Sequence, residues 1–388
     1  MLIKNRFYIL LTLAVLISAC KSDKHKNHAS TRAFYFWQTS IDSFHWNDSL
    51  YQSMKINKLY LRFFDVDWSN EAKTTIPVSP LQLEYYYNAI PDTVNVVPVV
   101  FITNETFKNL TKNQSAELAK QVHRKIMNIL TRFLSNEYES FYSKDWWEQD
   151  PYNMKSKNFD ELQRHDSLYS ARMKRIHEIQ FDCDWTTTTK DKYFAFLEEV
   201  KKLFPEQLIT STVRLYQYKY PDKAGVPPVS RGMLMCYNAG EIKDNKTSNS
   251  IFDKKEIMSY LDAKTYPLPL DYALPVFEWA VLFQGGKFKT ILSADIIRDE
   301  YQYYLQTENE NKLIVKEDFV YGNTSTSILI RKGDEIRLEQ PDMRAVQEVT
   351  SWLSENKNNK EAIVSLYHLN NHDLNQHSKE IENIFNSF

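Results

Sequence analysis

Glu178-Ile-Gln-Phe-Asp-Cys-Asp-Trp-Thr186 decides the fold. It reads as a buried strand whose last residues turn abruptly polar. Side chains alternate along a strand, so Gln180, Asp182 and Asp184 share one face while Phe181 and Cys183 share the other. Two carboxylates and an amide on one face are costly to bury unless they serve a site. The next stretch, Lys190 to Phe204, spaces Tyr193, Phe196, Leu197, Val200 and Phe204 as the apolar stripe of a helix. A strand, carboxylates at its C-terminal end and then a helix is the unit by which an α/β barrel presents reactive groups.

That unit recurs along the chain. Strands are expected at Ala33 to Thr39, Lys58 to Trp68, Val96 to Asn104, the opening stretch, Leu208 to Gln217, Arg231 to Gly240, Tyr272 to Phe283 and Ala362 to Asn370. Helical patterns follow most of them, including Ser115 to Leu134, Lys254 to Leu261, Met343 to Leu353 and Leu374 to Phe385. Alternation repeated eight times with polar strand ends predicts a parallel, helix-wrapped sheet closed into a (β/α)8 TIM-type barrel. An open sheet would place its ligand at a switch point, usually with glycine-rich turns, and those are missing. Two departures are expected. One is a polar, aromatic-rich insertion over 135–172, before the fourth strand. The other is a small β excursion over 293–339, between the seventh and eighth strands, with strands at Leu313 to Val320 and Ser325 to Arg331.

The totals narrow the function. The chain has 388 residues, 43% of them hydrophobic, and a net charge of −2, enough for one large barrel and without the basic excess of a nucleic-acid binder. Seven glycines, none before Gly225, exclude the dinucleotide fingerprint, the P-loop and the Gly-x-Ser-x-Gly elbow. No Cys-x-x-Cys pair is present, and His177-Glu178 lacks the second histidine of a zincin. Aromatic residues make up 14%, a share that suits stacking on sugar rings as well as core packing.

Lys4 and Arg6 precede an apolar run, Phe7 to Ile17, that closes on Ser18-Ala19-Cys20. A basic start, a short apolar segment and small residues describe a secretory signal over 1–20. Ile17-Ser18-Ala19-Cys20 resembles the bacterial lipobox, which implies that Cys20 becomes the acylated, palmitate-bearing first residue of a cell-envelope lipoprotein. The alternative is an ordinary signal peptide with a chance cysteine. Residues 21–32 then read as a flexible tether and 33–388 as one barrel domain.

Tyr35-Phe-Trp37, Leu59 to Trp68, Gln180 to Thr186, Met233 to Asn238 and Leu366 to Leu369 together resemble a lipoprotein family of Bacteroidetes, which in turn resembles glycoside-hydrolase-type TIM barrels. The resemblance implies a lipid-anchored barrel acting on a glycan. Asp182-Cys-Asp184 is similar to part of the chitinase-type Asp-x-x-Asp-x-Asp-x-Glu motif. Trp185 and Thr186 stand where that motif runs on to its acid glutamate, so the aspartates carry over and the acid does not.

Asp182, Asp184 and Glu278 are the expected catalytic carboxyls. The two aspartate Cβ atoms should lie roughly 6–7 Å apart, close enough for one carboxyl to hold its proton as a general acid. The other reading is that they only anchor a loop or helix start. Glu278 stands in an apolar run, where it must be paired, protonated or catalytic, with Arg62 and Arg214 as natural partners. Trp37, Asp65, Asp67, Trp68, Trp185, Arg214, Gln217, Tyr237, Asn238, Trp279, Tyr367 and His368 are expected to ring the substrate, because all fall within or just after strands whose ends meet at one face. Asp65 and Asp67 lack the dense oxygen cluster of a hard-cation loop, so no metal is expected. Nor is any cofactor. The expected partners are a glycan or other small polar ligand, and a membrane reached through the lipid; no nucleic acid is expected, and the chain should act as a monomer. The competing function is a non-catalytic carbohydrate-binding or assembly lipoprotein.

Overall fold

The computed structural model describes residues 31–40, 49–82, 90, 93–135, 176–238, 240–261, 266–322 and 327–388. The signal segment, Cys20 and nearly all of the expected insertion before the fourth parallel strand lie outside the described residues.

The barrel begins with β1 (Arg32–Phe36), β2 (Lys58–Ser69), the antiparallel β3 (Thr74–Val78), β4 (Asn95–Ile102), β5 (Glu178–Asp182), β6 (Leu208–Arg214), β7 (Arg231–Met235) and β8 (Leu270–Pro275). Seven further strands follow outside the barrel: β9 (Trp279–Gln284), β10 (Lys287–Leu292), β11 (Leu305–Thr307), β12 (Lys312–Val315), β13 (Phe319–Tyr321), β14 (Ile328–Ile330) and β15 (Glu335–Glu339). The last strand is β16 (Val364–Tyr367). The order β1-β16-β8-β7-β6-β5-β4-β2, with β1 also paired to β2, closes eight parallel strands into a barrel. The expected (β/α)8 architecture is therefore what the chain forms. β3 lies antiparallel on the upper half of β2, from Asp65 opposite Val78 to Ser69 opposite Thr74.

Period-2 alternation builds the two layers. On β5 the outward Phe181 meets Phe196 edge-on at 5.2 Å, and Phe196 belongs to the helix Lys190–Leu203. That helix buries Tyr193, Phe196, Leu197 and Val200, the stripe its spacing predicts. Cys183 and Cys236 are buried free thiols. Inward residues are unusually polar for a barrel core. At the N-terminal end Lys58 pairs with Glu178 at 2.6 Å and Arg231 with Asp271 at 3.0 Å. One layer higher, Tyr35 stacks on Tyr60 with ring centroids 4.7 Å apart. The final helix, Asn371–Ser387, is capped by the Asn370 side chain and tied back to β1 by Arg32–Glu382 at 2.6 Å.

Several expected strands end early, three of them with consequences for the site. The run Tyr272 to Phe283 is two strands, because the chain leaves the barrel at Val276–Glu278 and β9 becomes the central strand of a separate antiparallel sheet, ordered β10-β9-β15-β12-β11. A central strand buries both faces, so Ala280, Val281, Leu282 and Phe283 read as a continuation of the barrel strand before them. The excursion thus starts at Trp279 rather than near residue 293, and it has its own small core of Ala280, Leu282, Leu292, Ile297 and Ile336. β6 stops at Arg214, where the helix Leu215–Lys219 begins, and β7 stops at Met235.

Candidate functional site

The C-terminal mouth is organised around β5. Asp182 accepts a 2.6 Å hydrogen bond from the Thr212 hydroxyl on β6. Burial and the neighbouring Asp184 push its carboxyl up to about 6, opposed by Arg214 and by the Thr212 bond. Asp184, one step above on the same face, is gripped by Arg214: Nε donates to Oδ1, and Nη2 to Oδ2 at 2.7 Å. Two carboxyls on one strand face are thereby set in different charge environments, the arrangement that separates a proton holder from an ionised neighbour.

A bulge in β2 supplies the opposite wall. The register slips between Arg62 and Phe64 against β4, so Arg62 and Asp65, three apart, both turn inward. Arg62 Nε donates to Asp65 Oδ1 at 2.8 Å, and its Nη2 donates to Oδ2. The same guanidinium lies 5.6 Å from the Trp37 ring centroid. Aromatic rings continue around the rim. Trp37 meets Tyr367 at 5.6 Å, Tyr367 stacks on Tyr237 at 5.2 Å, and Phe277 meets Tyr367 at 5.3 Å. Burial raises the Tyr237 and Tyr367 phenols, so both stay neutral donors.

Beneath the carboxyls, Tyr35 donates to Gln180 Oε1 at 2.5 Å. Gln180 Nε2, Tyr60 Oη and Ser365 Oγ are buried and have no protein partner among the described residues. Unpaired polar atoms below a mouth are sites for water or ligand hydroxyls.

Glu278 stands in a different cluster. Its side chain is 4% exposed, accepts from Arg298 of the excursion, and lies 3.4 Å from His372 Nε2. Its second oxygen has no partner among the described residues. The expected partners Arg62 and Arg214 are taken by Asp65 and Asp184, so the structure joins the two aspartates and sets the glutamate apart. His368, next to this cluster, is held neutral: burial lowers it to about 4.

Other expected residues serve the scaffold. Trp185 is buried, donates to Ala224 O at 2.9 Å and stacks on Tyr193. It follows the strand's outward face, so it packs under the helix instead of facing a ligand. Gln217 sits in the short helix after β6, where its Oε1 accepts from Arg214 N at 2.7 Å and its Nε2 donates to Trp185 O. Asp67 accepts from Thr103 Oγ1 and Trp68 N, both at 2.8 Å, and so anchors the start of the helix Asn104–Asn109. Trp68 stands opposite Thr75 on the β2–β3 extension. Trp279 lies in β9 and donates to Glu339 at 3.0 Å. Asn238 is exposed, with a positive φ of 53° and its N–H on Ile251 O.

Sequence reasoning missed Tyr35, Thr212 and Phe277, and named Arg62 as a partner for Glu278 or another site carboxylate without pairing it to Asp65. Thr212 was findable, since it shares a strand face with Arg214. Arg62 beside Asp65 was not, because a spacing of three places residues on opposite faces unless a bulge intervenes. Among the described residues no group of three or more His, Cys, Asp or Glu side chains could hold a metal ion.

No protein-family model matches the chain, and neither does any curated protein sequence. Solved structures similar to it are found at low identity. The spore cortex-lytic enzyme SleL of Bacillus cereus is 14% identical, with 92% of this chain and 74% of that one covered and a TM-score of 0.44. A GH18 chitinase from Cycas revoluta in complex with (GlcNAc)3 is 13% identical, covers 92% and 99%, and gives 0.43. Concanavalin B is 10% identical, covers 92% and 99%, and gives 0.36.

Proposed function

We propose that the barrel mouth binds a glycan and cleaves it, with Asp182 as the proton donor. The observation that carries this reading is the Asp182–Asp184 pair: one carboxyl buried and pushed up to about 6, the other held by Arg214. A carboxyl that titrates near neutrality at a barrel mouth is matched to general-acid work. Trp37, Tyr237 and Tyr367 supply flat surfaces for a sugar ring, and Gln180, Tyr60 and Ser365 supply hydrogen-bonding atoms below it. Asp184 is engaged at both oxygens, which makes it an orienting anion and a poor nucleophile. The second catalytic role then falls to water or to a group of the substrate itself, as in substrate-assisted glycosidases. A polysaccharide-depolymerisation screen on the purified full chain tests the reading, and turnover lost in Asp182→Asn is its expected signature.

A second reading is binding without turnover. It is favoured by one observation: Asp65, Asp184 and Glu278 are each engaged by a guanidinium, so none of these three is a free carboxylate for the second role. Glycan-array binding by a wild-type protein that cleaves none of its ligands would select it. The lipobox-like Ile17-Ser18-Ala19-Cys20 supports a membrane tether through an acylated Cys20, as in the lipoprotein family its strand ends resemble. Cys20→Ser is expected to release the protein from membranes or leave it unprocessed.

A further inference from the structure

A second recess lies on the same face as the mouth, where the excursion meets the final helix. It is an open groove of about 560 Å³ lined by Arg298, His372, Asn375 and Gln376. Among the described residues that line it there is no carboxylate. A guanidinium, an imidazole and two carboxamides make a wall rich in hydrogen-bond donors.

Arg298 carries donors that the described residues do not use. Glu278 is one buried anion facing two basic groups, Arg298 and His372. Arg298 spends one nitrogen, Nη1, on that carboxylate and is 34% exposed; its Nε and Nη2 have no partner among the described residues. Asp373, behind the wall, is 2% exposed, and burial pushes it up to about 7, so it is only partly ionised near neutral pH. A planar guanidinium with a free edge is the side chain best matched to a carboxylate or sulfate.

The groove and the mouth are linked by one stretch of chain. Phe277 packs on Tyr367 with ring centroids 5.3 Å apart and on His368 at 6.2 Å, and Glu278 is the next residue in the chain. The segment that packs on Tyr367 of the mouth thus carries, one residue on, the carboxylate that holds Arg298.

We infer that the groove is a subsite for an anionic group, a carboxylate or sulfate carried on a sugar ring, and that the glycan taken by the mouth is acidic. The inference rests on the glycan reading. Here Arg298 is a binding residue and Glu278 a positioning residue that fixes its guanidinium.

Calorimetric titration of the full chain tests this with three probes: a galacturonate tetrasaccharide, its neutral methyl ester and inorganic sulfate. The acid form is expected to bind about tenfold more tightly than the ester. Gln376→Glu, which leaves the Glu278–Arg298 pair intact, should erase that preference without lowering the melting temperature. Arg298→Gln should also erase the preference; it leaves the buried Glu278 without its guanidinium, so its melting temperature should fall and its folding is checked separately. Equal binding of acid and ester, preference that survives Gln376→Glu, or no binding of either tetrasaccharide or sulfate overturns the inference. Sulfate or acid-form binding that is lost in Gln376→Glu but untouched by Trp37→Ala sustains the groove while removing the glycan reading of the mouth.

Discussion

Arg214 holds Asp184 through two parallel hydrogen bonds, one from Nε to Oδ1 and one from Nη2 to Oδ2. Asp182, two residues earlier on the same strand face, is left with a single donor, the Thr212 hydroxyl. One guanidinium thus sorts two adjacent carboxyls. The carboxyl it touches is engaged at both oxygens, and the one it only approaches is free to carry a proton. Neutral Tyr237 and Tyr367 nearby add donors without adding charge.

This sorting makes opposite predictions for two variants. Arg214 lowers the Asp182 carboxyl and Asp184 raises it, so Arg214→Gln should move the Asp182 titration above about 6 and Asp184→Asn should move it below. Carboxyl carbon NMR across a pH series reads both. Shifts of the same sign in the two variants would show that burial alone sets the value.

The Tyr35–Gln180 bond predicts coupling in the barrel interior. Tyr35→Phe strips the amide oxygen of its donor while Gln180 Nε2 is already unpaired, at a cost of about 1–3 kcal/mol. Gln180→Leu leaves the Tyr35 hydroxyl buried alone at a similar cost. The double variant removes both polar partners, so its loss should be smaller than the sum of the singles. Additive denaturation free energies would mean that the bond contributes nothing.

The barrel was legible because its rule is local. Each strand carries outward apolar residues every second position, and each following helix carries a stripe at helical spacing. Phe181 against Phe196 joins those two periods directly. The boundary at Val276–Glu278 was not legible, because β8 runs apolar from Tyr272 to Pro275 and the doubly covered β9 from Trp279 to Phe283. Asp182, Asp184 and Arg214 were found from i, i+2 spacing and strand-end position. Partner choice failed where it depended on distant segments: Arg298, which takes Glu278, belongs to the excursion and shares no periodic relation with it. Trp185 failed for a simpler reason. It lies one residue past Asp184, and one residue turns a side chain to the other face.

At the closed end of the barrel, Asp271 predicts a pH effect on stability. It is 2% exposed, and burial pushes its carboxyl from 3.8 up to about 6 despite Arg231. A carboxyl raised in the folded state binds more protons there than in the unfolded chain between those values. Its stabilising contribution is therefore complete below about 4 and lost as pH rises through about 6. Two pH units correspond to about 3 kcal/mol. Asp271→Asn should flatten this slope, so that the difference in unfolding free energy between wild type and variant changes between pH 4 and 7. A difference independent of pH would place the Asp271 titration outside that window.

The sharpest contrast is between Asp182 and Glu278, both expected from sequence to be catalytic. Asp182 faces the mouth with a carboxyl pushed up to about 6, so at pH 7 its charge opposes folding. Asp182→Asn should leave melting unchanged or raise it above pH 6, while lowering turnover by roughly 10²–10⁴-fold, the usual contribution of a positioned general acid. Wild-type kcat should fall as pH rises through the Asp182 titration. Glu278→Gln does something different. It removes the buried half of an ion pair whose other half, Arg298, is partly exposed. Solvent screens part of that loss, leaving a destabilisation of about 1–3 kcal/mol. Turnover per folded molecule should change far less than in Asp182→Asn. Should Glu278→Gln instead abolish turnover at full stability while Asp182→Asn remains active, the proton donor is Glu278 and the cluster around Arg298 is the reacting centre.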